Sequence, residues 1–415
     1  MSHTSARLCR GVVIVVTAGT LMAPLTAGAV PVSTPATSAA SAPSPSPSPS
    51  GPEVLPLTPA VARQLDAAVQ QVMSEANVPG VMVGVWTPGQ PSYVRSFGVA
   101  DKTTGRRMTP GLSMRIGSET KTFTVTALLQ LADQGKVSLD DPIGKYIDGV
   151  PNGSDITLRQ LADMRSGLFN FTQDEGFVKA LTSDPQRPFT PQQLLSYAFR
   201  HPVLFPPGQK FSYCNTNLIL LGLVVEKESG QPIGNYIEQH ILAPTGMGQT
   251  LFPTGSEFPS PHAQGYSNQT ANGQVADTAD WDPSWAWAAG AMVSTLHDLH
   301  IWAPTVATGQ LPDGSRLISP AMQAQRLTFP PGPVPGAGYG LGIFNVHGWI
   351  GHNGSLPGYE SLTLYLPATR TSLVVLLNTD IQHDGEAPGT LFGQAITQII
   401  SPQHVFNLPA QPSTG

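Results

Sequence analysis

Ser118 and Lys121 stand three residues apart in the stretch Ser118-Glu119-Thr120-Lys121. On a helix, side chains at that spacing share a face, so Lys121 Nζ can reach Ser118 Oγ. A serine hydroxyl attacks a carbonyl carbon only when a neighbouring base takes its proton. Lysine can be that base once it is neutral. From an unperturbed pKa near ~10.4, neutrality at pH 7 costs about 4–5 kcal/mol, which burial can supply by disfavouring the ammonium. The flanks point to burial: Phe123 and Val125 follow at once, and Phe123 to Gln134 is apolar nearly all round. A helix-capping serine beside a solvated lysine gives the same four letters, so the chemistry needs further groups.

Two other segments supply them. Tyr213-Cys214-Asn215 lies in the run Pro207 to Asn217, a turn followed by an apolar helix, which aims the side chains at i and i+2 into one site. Gly351-His352-Asn353-Gly354-Ser355 precedes a predicted hairpin, and its glycines permit close approach of a substrate backbone. Taken singly, Tyr213 also reads as a half-buried tyrosine and His352 as a loop histidine.

The order and spacing of the three segments resemble the serine β-lactamase and penicillin-binding family, whose signature is Ser-x-x-Lys, then Ser/Tyr-x-Asn, then Lys/His-x-Gly. The likeness is strongest to class C β-lactamases and secreted D-alanyl-D-alanine carboxypeptidases, which use Tyr-x-Asn. Met114 to Gly117, Gly135 to Pro142, Pro207-Gly208 and Ala289 to Thr295 also look like that family, so the resemblance spans about Thr58 to Ile400. It implies a nucleophile at Ser118 and a Lys121–Tyr213 pair sharing one proton, with the base unassigned between them. The backbone N–H of Ser118, at its helix N-terminus, gives one oxyanion donor. The resemblance gives Ser355 as the other. It also implies that Asn215 orients the substrate amide, that His352 polarises the Tyr213 hydroxyl, and that His352, Asn353 and Gly354 line the substrate. Cys214 occupies a variable position and reads as spacing, because a catalytic thiol needs its own histidine base.

His352 stands where many β-lactamases have lysine, and Asn353 where a threonine hydroxyl often helps hold a carboxylate. Both departures count against efficient β-lactam hydrolysis. A carboxypeptidase would then need another cation for the terminal carboxylate, with Arg165, Lys210 and Arg326 as candidates. The reading is a serine hydrolase that forms an acyl-enzyme on cell-wall peptides in the manner of a D-alanyl-D-alanine carboxypeptidase. A β-lactamase, an esterase or a D-aminopeptidase of the same family are the alternatives. No cofactor or metal is called for. The leaving group stays open: a D-amino acid, an alcohol or a β-lactam amine.

The elements that position these groups follow from patterning. Thr58-Pro59 is a helix start, with Val61, Leu65, Ala68 and Val72 on one face. Val81 to Trp86 and Tyr93 to Val99 read as strands, and Ser361 to Leu366 with Leu373 to Asn378 as a hairpin. A helix over Thr390 to Ile400 closes the domain. Further helices are predicted over Ile156 to Ala162, Pro191 to Phe199, Leu218 to Glu228 and Thr295 to Ala303. The fold class is α/β: an antiparallel sheet flanked by helices, built from N- and C-terminal segments, with a large, mostly helical inserted lobe. Its sheet lobe covers 57–112 and 342–402, its helical lobe 113–341, and a cleft lies between them. Residues 403–415 form a tail.

Composition sets the context. The chain has 415 residues, 40% hydrophobic and 12% charged, with net charge −6 and no basic stripe, which argues against a nucleic-acid partner. Residues 1–29 carry Arg7 and Arg10, an apolar stretch interrupted by Pro24, and Ala27-Gly28-Ala29, the layout of a secretory signal peptide. An uncleaved anchor is the alternative for that segment. Residues 30–56 read as a Pro/Ser-rich disordered linker. The mature protein is expected to be secreted, without a stable membrane span once the signal is cleaved. The two cysteines are Cys9 and Cys214, so cleavage of the signal leaves no internal disulfide.

Two rival classes remain. His297 and His300 are spaced like metal ligands but lack the glutamate of a zinc-protease helix. A non-catalytic binder of wall fragments or β-lactams would not need Ser118, Lys121, Tyr213 and His352 together.

Overall fold

Thr58 opens the first helix: its hydroxyl accepts the Val61 N–H, Pro59 occupies the first turn, and α1 runs Pro59–Glu75. The computed structural model of the chain describes residues 54–330 and 334–408. The signal-peptide reading of 1–29 and nearly all of the linker reading of 30–56 lie outside the described residues, as do positions 409–415 of the tail.

Seven strands form one antiparallel sheet: β1 (Gly80–Trp86), β2 (Tyr93–Gly98), β3 (Ala337–Tyr339), β4 (Phe344–Val346), β5 (Trp349–Leu356), β6 (Tyr359–Leu366) and β7 (Thr371–Leu377). Their spatial order is β2-β1-β7-β6-β5-β4-β3. The two ends of the chain meet where β1 pairs with β7, Val81 opposite Leu377. Every residue of β6 and β7 is buried, so both faces must be covered.

Four more helices matter here: α2 (Thr120–Asp133), α3 (Asn215–Ser229), α4 (Leu296–Thr308) and α5 (Pro388–Ile400). Alternation along β6 divides its contacts. Glu360 accepts the Gly389 N–H of α5 at 2.7 Å, whereas Ser361 Oγ donates to the Ile116 carbonyl beside α2 at 2.9 Å. α1 packs on α5, while α4 lies against β1, β6 and β7 and ties to α2 through Trp302 Nε1 and Thr122 Oγ1 at 2.8 Å. As its composition predicts, α2 is buried nearly all round.

Two differences from the sequence reading concern the sheet. Its C-terminal run of strands begins at Ala337, before the expected lobe boundary at 342. The segment Gly351 to Ser355, placed just before the hairpin and assigned no strand, is the middle of β5. Its glycines serve close packing rather than a turn: a β-carbon at Gly351 would stand 1.9 Å from the Thr363 carbonyl oxygen.

Candidate active site

Ser118 lies on a single 3₁₀ turn, Gly117–Glu119, that runs into α2. Gly117 has φ +50°, and a β-carbon there would come within 2.6 Å of the Ser355 backbone nitrogen. Glycine is therefore required just before the nucleophile, both for the backbone angle and for the approach of β5. The half-buried Ser118 thus sits at the seam between the sheet and the helical lobe.

Lys121 is fully buried, as the apolar flank predicts. Its Nζ lies 2.9 Å from Ser118 Oγ and donates to the Ala289 carbonyl oxygen at 2.7 Å. Among the described residues no carboxylate pairs with it. Burial holds the lysine well below its ordinary pKa, with only the Cys214 thiol acting the other way. Nζ donates to both Ser118 Oγ and the Ala289 carbonyl here, and a neutral amine at the same distance would have a lone pair to accept the Ser118 proton.

Tyr213 completes the cluster. Its phenol lies close enough to Ser118 for that hydroxyl to favour its ionised form, and Lys121 Nζ stands 4.9 Å from the ring centroid. Part of the ring reaches solvent, but the hydroxyl lies deep enough that burial pushes its pKa up, against a smaller lowering by Ser118. The phenol therefore keeps its proton. Cys214 between the two polar residues is buried, and its thiol donates to the Leu168 carbonyl at 3.4 Å. Burial raises it to about 11, so it is no thiolate nucleophile.

Asn215 is the first residue of α3. Its backbone N–H donates to Asn170 Oδ1 at 3.1 Å and its amide nitrogen faces Thr172 Oγ1 at 3.4 Å. Thr216 Oγ1 donates to the Phe169 carbonyl at 2.7 Å, so the chain at Phe169 is fastened to the start of α3.

His352 is placed differently from the expectation. It is buried in β5, with Nδ1 2.5 Å from the Asn353 carbonyl oxygen and Nε2 2.9 Å from the Tyr339 hydroxyl. The Tyr213 and His352 ring centroids are 6.3 Å apart. Polarisation of the Tyr213 hydroxyl by His352 is therefore replaced by a His352–Tyr339 bond, because both ring nitrogens are already engaged. Burial first, then Lys121, lowers the imidazole to about 3, so it is neutral.

β4 pairs with β5 only as far as Gly351. On that side, Asn353, Gly354 and Ser355 have no strand partner among the described residues, which leaves a backbone edge for a substrate. Asn353 is half-buried, Gly354 buried and Ser355 exposed. The segments carrying the Ser118 and Ser355 N–H groups are in direct contact through Gly117.

The cations considered for a substrate carboxylate fare unevenly. Arg326 is corrected to a brace: it is 1% exposed and donates to Thr126 Oγ1 and the Thr122 carbonyl of α2, each at 2.8 Å. Arg165 faces Asp163 at 4.0 Å, and Lys210 is exposed on the loop before Tyr213. Of the two histidines weighed as metal ligands, His300 stacks on Trp86 at 4.0 Å and His297 Nδ1 is 3.2 Å from Asp298 Oδ1. Three contributors were missed: Ala289, Asn170 and Tyr339. A backbone carbonyl such as Ala289 has no side-chain signal. Tyr339 carried one, an aromatic residue set among Gly338, Gly340 and Gly342 ahead of a strand.

The sheet with helices on both faces and the serine–lysine–tyrosine cluster at its seam are those of a serine hydrolase. A family model described as Beta-lactamase matches residues 65–394. The chain belongs to the beta-lactamase family. A D-stereospecific amidohydrolase from Streptomyces sp. is 31% identical, with a TM-score of 0.70 over 80% of this chain and 97% of that one. The D-amino acid amidase from Ochrobactrum anthropi SV3, crystallised with D-phenylalanine, is 27% identical with a TM-score of 0.69 over 81% of this chain and 97% of its own. A D-aminopeptidase from Cereibacter sphaeroides is 29% identical over 79% of this chain, which spans 62% of that longer protein.

Proposed function

We propose that the protein hydrolyses amide bonds of small D-configured substrates, D-amino acid amides and short peptides, through an acyl-enzyme on Ser118. One observation carries the reading: Ser118 Oγ is held between a buried lysine amine at 2.9 Å and the Tyr213 phenol. Lys121 takes the Ser118 proton as Oγ bonds to the carbonyl carbon, and the carbonyl electron pair moves to an oxygen facing the Ser118 and Ser355 N–H groups. Tyr213 gives its proton to the departing nitrogen and regains one from Lys121, and the C–N bond breaks. Water then adds to the ester by the same path in reverse and frees the D-amino acid.

An amide or aminopeptidase substrate is favoured over the carboxypeptidase substrate first expected. Neither His352, which is neutral, nor Arg326, which is committed to α2, offers the buried cation that a terminal carboxylate would need. The D-specific names of the similar amidohydrolase and amidase support the same choice. The basic and then apolar N-terminal segment supports export, which N-terminal sequencing of protein from the culture medium tests.

Purified protein should be assayed on D- and L-phenylalanine amide, a D-Ala-D-Ala peptide, a p-nitrophenyl ester and a chromogenic cephalosporin. The expected ranking puts the D-amide above its L-enantiomer and above the peptide and the lactam. A cephalosporin turned over at more than about 10² s⁻¹, within the ordinary enzyme range, would make this a β-lactamase.

A further inference from the structure

His352 Nδ1 lies 2.5 Å from a carbonyl oxygen, which can only accept, so Nδ1 carries the ring proton. In a neutral imidazole Nε2 then offers a lone pair, and the Tyr339 hydroxyl 2.9 Å away must donate to it. The bonds run in one direction: Tyr339 O–H to Nε2, then Nδ1–H to the Asn353 carbonyl. That carbonyl belongs to the peptide joining Asn353 to Gly354, one residue before the Ser355 N–H on the cleft edge of β5.

We propose that Tyr339 is a positioning residue: by donating to Nε2 it holds the His352 ring so that Nδ1–H keeps its bond to the Asn353 carbonyl, which orients the Asn353–Gly354 peptide and hence the Ser355 N–H that faces the developing oxyanion. The inference rests on the reading of Ser118 as the nucleophile. It adds a residue, and a direction of hydrogen bonding, to that site.

The surroundings support it. Tyr339 is 7% exposed, and its ring packs edge-on against Tyr213 at 6.3 Å and tilted against Phe211 at 5.6 Å. Burial raises its phenol well above the ordinary range, so it stays a donor at every working pH. The other titratable groups facing His352 are Lys121 from α2 and Tyr213 from the α3 side, and neither bonds to a ring nitrogen. The Phe344 ring of β4, centred 5.3 Å away, closes another side without offering a donor. Among the described residues, Tyr339 is thus the group that holds the ring from the Nε2 side, with Nδ1 turned to the Asn353 carbonyl. The flipped tautomer would set a ring lone pair against the Asn353 carbonyl oxygen and release that peptide.

The test is Tyr339→Phe, which keeps the ring and removes only the donor. In ¹⁵N-histidine-labelled protein, the parent should show a strongly hydrogen-bonded, slowly exchanging His352 Nδ1–H, and the variant a weakened, faster-exchanging one. With D-phenylalanine amide, kcat should fall about 10- to 100-fold with KM little changed, the scale of a misplaced oxyanion donor. An unchanged Nδ1–H signal overturns the proposal, whether or not kcat falls, and so does an unchanged kcat. If Tyr339→Phe does not fold, His352→Gln and His352→Leu decide. The carboxamide can accept from Tyr339 and donate to Asn353, so it should retain at least ten-fold more kcat than leucine; equal rates overturn the proposal. The NMR arm does not depend on turnover. Absence of Ser118 acylation in the parent therefore counts against the proposed activity and leaves the Nδ1–H result standing.

Discussion

A β-carbon at Gly354 would stand 1.9 Å from the Ile116 carbonyl oxygen, so β5 and the segment leading to Ser118 touch backbone to backbone. The same carbonyl accepts the Ser361 hydroxyl at 2.9 Å. Even one methyl group must therefore push the nucleophile turn off β5 or shift β5 itself. Gly354→Ala is expected to lower stability by about 1–3 kcal/mol, the usual cost of overpacking. The kcat/KM for a D-amide should fall about 100-fold, the scale of an ångström-sized misplacement. Urea unfolding and initial rates on the same preparation check both; a fully active variant would show that β5 does not supply the oxyanion donor.

Ser118→Ala should separate chemistry from folding. The hydroxyl sits half-buried at the cleft, and its partners are Lys121 and Tyr213 rather than the apolar core, so its removal should leave the melting temperature within a few degrees of the parent. Loss of the nucleophile should cut kcat roughly 10³-fold or more. Intact-protein mass spectrometry with an active-site acylating reagent should show an adduct on the parent and none on the variant. An adduct surviving on the alanine chain would move the nucleophile elsewhere.

Cys214→Ala addresses the cysteine that splits Tyr213 from Asn215. Its thiol is buried and rests on the Leu168 carbonyl. We expect a loss of about 1 kcal/mol from the small cavity and kcat within about two-fold of the parent. Native protein should resist thiol reagents until denatured. Rapid labelling of the folded chain with loss of activity would contradict the buried, protonated thiol.

Much of this site was legible in the sequence because it is built from side chains at short, fixed spacings. Ser118 and Lys121 share one helical turn, and Tyr213 and Asn215 flank the start of an apolar helix. The same logic recovered β1, β2, β6 and β7, whose apolar runs lie between turn residues. His352 was found as a residue but not in its partner. Tyr339 reaches it only because β3 and β4 fold back onto β5, and β3 and β4 span three residues each, too few for a period-two pattern to stand out. The Gly351 to Ser355 segment reads as a loop by composition. Its glycines answer to Thr363 and Ile116 across the fold, and a one-dimensional pattern does not contain that contact.

The last prediction couples the buried lysine to stability. Lys121 has no carboxylate partner among the described residues and is held well below its ordinary pKa by burial. In the unfolded chain it titrates near ~10.4. Between the folded value and that figure the unfolded chain binds more protons than the folded one, so this residue makes stability rise with pH across the window and adds no slope above it. Lys121→Met fills similar volume and cannot titrate. It also leaves the Ala289 carbonyl without its donor, which shifts the absolute stability by a pH-independent amount. The informative quantity is thus the difference between parent and variant as pH changes. Relative to the variant, the parent should gain up to about 1.4 kcal/mol for each pH unit inside the window, the value of one whole proton. Urea unfolding of both chains at pH 6, 8 and 10 measures it. Parallel profiles would mean that Lys121 keeps its proton in the folded state, and the general base would then have to be sought at Tyr213.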